Sequence, residues 1–248
     1  MSRQVVLVTG GAQRIGAAIS GAFHAAGYQV LIHCNQSRPA ADRLAERFNE
    51  SRAGSAAVMA FDLSHTGQLE DYIADCTRQF NGLDVLVNNA SVFYPTPLGT
   101  ISPAEIQAVM KVNLEAPLML AKAAAPVLNE ASSPGGSVIN ITDIHAHQPL
   151  SGYTPYVASK AALAMVTRNL ALELAPNVRV NAIAPGAILW PEETAALDEE
   201  GQADLLEGIP LGRLGEPADI ANLAVFLAVR GSYITGQVIS VAGGNNLH

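Results

Sequence analysis

QVVLVTGGAQRIGAAISGAFHAAG, residues 4–27, joins an unbroken apolar run to a small-residue helical stretch across a glycine-bearing turn. An apolar run of this length suits a strand buried on both faces. The turn that follows lets the backbone bend sharply and approach a pyrophosphate, which the helix N-terminus stabilises. Taken alone, the same residues also read as a plain strand-to-helix turn. The rest of the chain repeats the alternation. Candidate strands follow at QVLIHC (29–34), AAVMAFD (56–62), DVLVNNA (84–90), SVINIT (137–142), VRVNAIAP (178–185) and QVISVAG (237–243). Helix-length segments such as PADIANLAVFLAV (217–229) lie between them. Strands alternating with helices of this length imply βαβ units with right-handed crossovers. The expectation is one doubly wound α/β domain over residues 1–248, a parallel sheet with helices on both faces.

Bulk composition agrees. The chain has 248 residues, is 49% hydrophobic and only 15% charged, so one large core is within reach. A net charge of −8 lacks the basic stripe of a nucleic-acid partner. No apolar run reaches the ~18 residues of a membrane span, and no basic, apolar and small-residue leader opens the sequence. Cys34 and Cys76 are too few for a disulfide framework and read as packed thiols in a reducing, cytoplasmic setting. His145 and His147 alternate without a third ligand at suitable spacing, so no metal site is read there.

Ligands of doubly wound sheets bind beyond the carboxyl ends of the strands. Polar residues gather at those ends: Thr9–Gly11, His33–Ser37, Asp62, Asn88–Ser91, Thr142–Asp143 and Pro185–Gly186. A ribose with a free 2′-hydroxyl usually meets a carboxylate after the second strand. Here that segment reads His33-Cys34-Asn35-Gln36-Ser37-Arg38, with no acid before Asp42. Arg14, Ser37 and Arg38 suit a 2′-phosphate instead, which reads as NADP(H) over NAD(H). Arg38 is equally readable as a solvated side chain, and His33 as a packed strand histidine.

Tyr156 and Lys160 sit four residues apart, one turn along a single helix face. Thr154 reads as the N-cap and Pro155 as the first helical residue. A nearby ammonium and a helix N-terminus both favour phenolate, so the Tyr156 pKa is expected to fall toward the working range. Tyr153 has valine at the equivalent spacing and reads as part of the wall.

The glycine turn, Asn88-Asn89-Ala90 after the fourth strand, Asn113 in a helix and Tyr-x-x-x-Lys together resemble the short-chain dehydrogenase/reductase family, over essentially the whole chain. The resemblance implies a Rossmann-type sheet ordered 3-2-1-4-5-6-7 and a homotetramer. It implies that Lys160 binds the nicotinamide ribose and that Asn113 supports a proton-relay water. Cofactor contacts are then expected at Gly10, Arg14 and Ile15; His33, Asn35 and Ser37; Asp62 and Leu63; Asn89, Ala90 and Ser91; Tyr156 and Lys160; and Pro185 and Gly186.

Most of that family has serine where this chain has Asp143. A hydroxyl donates to a substrate carbonyl, whereas an ionised carboxylate donates nothing. Reduction of a C=N bond has another need, the protonation of a ring nitrogen, which a carboxyl group beside the tyrosine serves. TGxxxRxG, NNAS-x-FYPTPL and D…QPLxGYTxYxxxK resemble the pteridine reductase branch. That branch reduces dihydropterins, and often folates, with NADPH. The resemblance makes Phe93 a ring that sandwiches the pterin against the nicotinamide, where residues alone leave Phe93 equally readable as core. It gives Arg14 and Ser91 contacts to both ligands, and adds Asp143 and Tyr156 to the substrate site. Gln36, the serine-free Ala187-Ile188-Leu189-Trp190 and the tail Val241-Ala242-Gly243-Gly244 depart from the branch. Residues 187–212 read as a substrate lid, in which Trp190 either caps the substrate or packs the lid. A 3-oxoacyl-thioester or other carbonyl reductase, and a non-catalytic NADP-binding sensor, are the competing readings.

Overall fold

The computed structural model describes residues 4–131, 135–189 and 199–247. Seven parallel strands run β1 (Val5–Val8), β2 (Gln29–Cys34), β3 (Ala56–Ala60), β4 (Val85–Asn88), β5 (Gly136–Ile141), β6 (Val178–Pro185) and β7 (Val238–Val241). Their order across the sheet is β3-β2-β1-β4-β5-β6-β7, as the resemblance implies. Helices α1 (Arg14–Ala25), α2 (Arg38–Ser51), α3 (Leu69–Phe80), α4 (Pro103–Met110), α5 (Ala116–Leu128), α6 (Thr154–Glu173), α7 (Glu199–Glu207) and α8 (Pro217–Val229) alternate with the strands. No helix among the described residues is long and apolar enough to cross a membrane.

The two faces of the sheet carry separate cores, because successive strand residues point to opposite sides. Val6 and Val8 of β1 pack with Ile19, Phe23 and Ile32 under α1, α2 and α8. Val5 and Leu7 pack with Leu69, Leu86, Leu120 and Val138 under α3, α5 and α6. All four β1 side chains are buried, each contributing about 1.5–3 kcal/mol. β2 and β6 end where their apolar runs end, and the other five strands stop one or two residues earlier, where the chain leaves the ladder to build the rim. Cys34 and Cys76 are free and buried, and burial pushes the Cys76 thiol up to about 12.

Between β1 and β4 the chain reverses its direction of travel across the sheet. In open sheets of this kind ligands bind at the carboxyl ends of the strands beside such a switch point. β1 is held in register on both sides, Val6 lying opposite Val30 of β2 and Val85 of β4.

One buried charge secures the far end of the sheet. Arg179 of β6 donates to the carbonyls of Leu227, Ala228 and Gly231, closing the C-terminal end of α8 where the helix dipole favours a cation. Arg179→Met leaves those acceptors without their donor. It should lower unfolding stability by about 3 kcal/mol, read from urea denaturation; an unchanged midpoint would show that water satisfies the carbonyls equally well.

Candidate active site

The turn after β1 is built for close approach. Gly10 adopts φ +60°, and a Cβ on Gly16 would stand 2.0 Å from the Gly10 carbonyl. Thr9 ties this turn to the end of β4: its Oγ1 accepts from the backbone N–H of Asn89 (2.9 Å) and Ala90 (3.0 Å). The Asn89 amide returns the tie, donating to the carbonyls of Thr9 (2.9 Å) and Gly10 (3.2 Å). Arg14 opens α1 with φ +49°. An L-residue in this region carries roughly 1–2 kcal/mol of strain.

His33 lies under the turn, at 2% exposure. Its Nδ1 accepts from the Gly10 N–H (2.9 Å), so the neutral ring carries its proton on Nε2 and donates to the Phe61 carbonyl (3.0 Å). Both ring nitrogens are thus engaged by backbone, and the side chain shapes the turn. Burial pushes the imidazole down to about 4. Asn35 is exposed at the strand end, and Ser37 takes the N-cap position of α2 without a side-chain cap bond. Arg38 Nε reaches both carboxylate oxygens of Asp42 (2.8 and 3.0 Å). Asp62 accepts from the Ser64 N–H, which holds its carboxyl below the usual range, and Leu63 beside it is buried. At the end of β6, the Gly186 N–H donates to Val241, and a Cβ there would meet the Ala242 methyl at 2.7 Å.

The residues expected to move a proton converge beyond β5. Asp143 opens a single 3₁₀ turn, its Oδ1 accepting from the His145 N–H (2.9 Å). Its Oδ2 accepts from the Tyr156 hydroxyl at 2.6 Å. Helix α6 begins at Thr154 with Tyr153 as the N-cap residue, one position earlier than the sequence suggests. Lys160 lies one turn beyond Tyr156, its Nζ donating to the Ile141 carbonyl (3.0 Å) and standing 5.6 Å from the Tyr156 ring centroid. Burial pushes this ammonium down to about 8, with Asp143 opposing the fall.

The expected lowering of Tyr156 is reversed. Burial first, then the Asp143 charge and hydrogen bond, hold the phenol well above its ordinary pKa of 10. Helical spacing to Lys160 does not reveal that the phenol is desolvated and faces a carboxylate.

Asn113 lies in a π-helical turn, Lys111–Glu115, between α4 and α5. Its Oδ1 accepts from the Val92 N–H (2.8 Å) and Ser91 Oγ (3.2 Å). Its Nδ2 donates to the Val92 carbonyl (3.0 Å) and to Ser159 Oγ (3.2 Å). Ser159 in turn donates to the Tyr156 carbonyl (2.6 Å). Asn113 therefore braces the segment after β4 against the helix turn carrying Tyr156. Ser159 escaped the sequence reading; it stands directly beside the motif residue Lys160, which is the signal that was present. Phe93 is half exposed and leans on the rings of Tyr153 and Tyr156. Of the supposed lid, Trp190 and the residues to 198 lie outside the described residues. Its far end is seated on the C-terminal glycines: the Leu211 N–H donates to the Gly243 carbonyl, and a Cβ on Gly243 would strike Ile209 at 2.8 Å.

The His33 arrangement has a pH signature. Its folded pKa lies below the ordinary 6.5, so the unfolded chain takes up the proton first as pH falls. Its contribution is whole above pH 6.5 and is lost between about 6.5 and 4, roughly 3 kcal/mol in all. His33→Gln should flatten the acid-side fall in unfolding free energy by up to about 1.4 kcal/mol per pH unit in that window. Parallel slopes for the two proteins in urea titrations would show that His33 is not the group responsible.

Residues 10–246 match a family model described as enoyl-(acyl carrier protein) reductase. An uncharacterised oxidoreductase of Mycobacterium tuberculosis is 39% identical over 243 residues, covering 97% of this chain and 91% of its own. Pteridine reductase 1 of Leishmania tarentolae is 34% identical over 281 residues, 98% of this chain and 96% of its own. L-fucose dehydrogenase of Mus musculus is 36% identical over 253 residues, 99% of this chain and 89% of its own.

Proposed function

The chain belongs to the short-chain dehydrogenase/reductase family of oxidoreductases, and we propose that within it the protein is an NADPH-dependent pteridine reductase. The observation that carries this reading is the 2.6 Å hydrogen bond from the Tyr156 hydroxyl to Asp143. A carbonyl reductase needs a neutral donor at position 143 to polarise the substrate oxygen, and a carboxylate supplies none. A pterin needs a proton at a ring nitrogen. A lone Tyr156 that gave up its proton would leave a phenolate in a site that disfavours one. That proton is therefore replaced as it is spent: the Asp143 hydrogen bond aims the hydroxyl, Tyr156 passes its proton to nitrogen, and a proton from solvent restores the phenol.

The Gly10–Gly16 turn and the N-terminus of α1 fit a dinucleotide pyrophosphate, since glycine at both positions lets the helix start pack directly against the turn and present its backbone N–H groups there. The nicotinamide supplies the hydride when bound. Lys160 holds the ribose beside it, while Asn113 and Ser159 keep the Tyr156 turn in place. Arg14 supports the phosphorylated cofactor: a strained arginine at a glycine position is kept when its guanidinium has work there. The same reading carries a cytoplasmic homotetramer, in which a second copy covers exposed apolar side chains such as Met165 and Leu172 of α6.

NADPH oxidation measured against a dihydropterin, dihydrofolate and a 3-oxoacyl thioester tests the assignment, with NAD-linked oxidation of L-fucose as a fourth arm. Turnover of a dihydropterin is expected; turnover confined to the thioester or the sugar would overturn it. Asp143→Asn and Asp143→Ser should each lower kcat on the dihydropterin by about 10²–10⁴-fold and leave the NADPH dissociation constant within about twofold. Undiminished turnover would make Asp143 a bystander. Arg14→Gly should keep or raise Tm, since the left-handed strain is relieved. It should also weaken binding of 2′,5′-ADP about tenfold by calorimetry. Unchanged binding would remove Arg14 from the cofactor site.

A further inference from the structure

Phe93 sits on the segment that leaves β4, and a phenylalanine on such a segment is ordinarily free to change rotamer on a fast timescale. Here it is restrained from both sides along the chain. Asn113 grips the residue before it, taking the Val92 N–H and giving to the Val92 carbonyl. Three residues on, buried Thr96 donates its backbone N–H to the Gly152 carbonyl at 2.6 Å, and its hydroxyl points to the same oxygen at 3.4 Å. That strap binds the segment to the loop before α6, and the residue next to Gly152 is Tyr153.

The rings complete the restraint. Tyr153 stacks flat on Phe93, with centroids 4.5 Å apart and planes inclined by 13°. Tyr156 meets Phe93 edge-on, at 4.7 Å and 74°. One face of Phe93 is thereby covered by a parallel ring, while the side chain as a whole remains 52% exposed. The ring that bears the Tyr156 hydroxyl thus touches the same phenylalanine.

We propose that Tyr153 is a positioning residue: its ring backs Phe93, so that the pair offers one fixed aromatic platform to a planar heteroaromatic substrate. Such a substrate adds as a third ring to the Tyr153–Phe93 stack, with its plane set relative to the Tyr156 hydroxyl. Offset aromatic stacking rewards a flat π system and gives a sugar or an acyl chain much less. The substrate part of this inference rests on the pterin reading; the platform part does not.

The platform is tested in the free protein by NMR of ring-labelled phenylalanine, with the Phe93 signal identified through Phe93→Leu. A Tyr153 ring at 4.5 Å shifts that signal by its ring current; Tyr153→Leu should abolish the shift and Tyr153→Phe should retain it. The consequence is tested kinetically. Tyr153→Leu should raise KM for a dihydropterin about five- to tenfold with kcat changed less than about twofold and NADPH affinity intact. Tyr153→Phe should restore KM to within about twofold of the parent. A Phe93 signal that stays at its parent position, or an unchanged KM, in Tyr153→Leu overturns the proposal. So does a Tyr153→Phe variant as impaired as Tyr153→Leu, which would mean that the hydroxyl touches substrate directly. An equal loss of NADPH affinity in Tyr153→Leu overturns it too, as general disturbance of the loop. A parent enzyme that reduces no dihydropterin sinks the pterin reading instead, and the NMR comparison still decides whether the platform exists.

Discussion

A sheet kept dry on both faces has only its rim for chemistry, and that constraint organises this molecule. Val5, Val6, Leu7 and Val8 are all buried, so β1 has no position at which a polar side chain finds water or a partner. The first polar residue after it, Thr9, spends its hydroxyl on the two amides that follow β4. Asn89 returns two hydrogen bonds to the same turn, and His33 takes the Gly10 amide from below. The turn at the switch point is therefore walled by hydrogen-bonded backbone, which leaves it little freedom to rearrange.

The chemistry on that rim is set by a scarcity of counter-charge. Tyr156 and Lys160 are both buried, and each loses the hydration that would stabilise its charged form. Asp143 is the carboxylate that acts on both. It holds the phenol protonated and supports the ammonium. A serine at that position would leave Tyr156 with a neutral neighbour and Lys160 with only the Ile141 carbonyl. The residue that distinguishes this chain from most of its family also sets the protonation of its two neighbours.

Much of this was legible beforehand, because hydrophobic periodicity and glycine turns are local. All seven strands and the α8 segment were visible as apolar runs, and the strand order came with the family resemblance. Tyr156, Lys160 and Asp143 were identifiable from type and spacing. What escaped was whatever depends on segments distant in the chain. Thr96 meets Gly152 across 56 residues and Asn113 meets Ser159 across 46, and neither pairing leaves a pattern in the sequence. The direction of the Tyr156 shift was misread for the same reason. Spacing reports a neighbouring ammonium, and only packing reports how much water has been removed. His33, expected among cofactor contacts, has both ring nitrogens committed to backbone, a fact that strand position alone cannot convey.

By itself, then, the sequence determined which residues are apolar, where the chain must turn and which side chains carry ionisable groups. Those follow from composition and from the periods of helix and strand. Tertiary structure alone decided which groups share a hydrogen bond, which tautomer His33 adopts and which ring faces Phe93 leaves uncovered. Those properties are set by distance and dehydration, and both arise only when segments far apart in the chain are brought into contact.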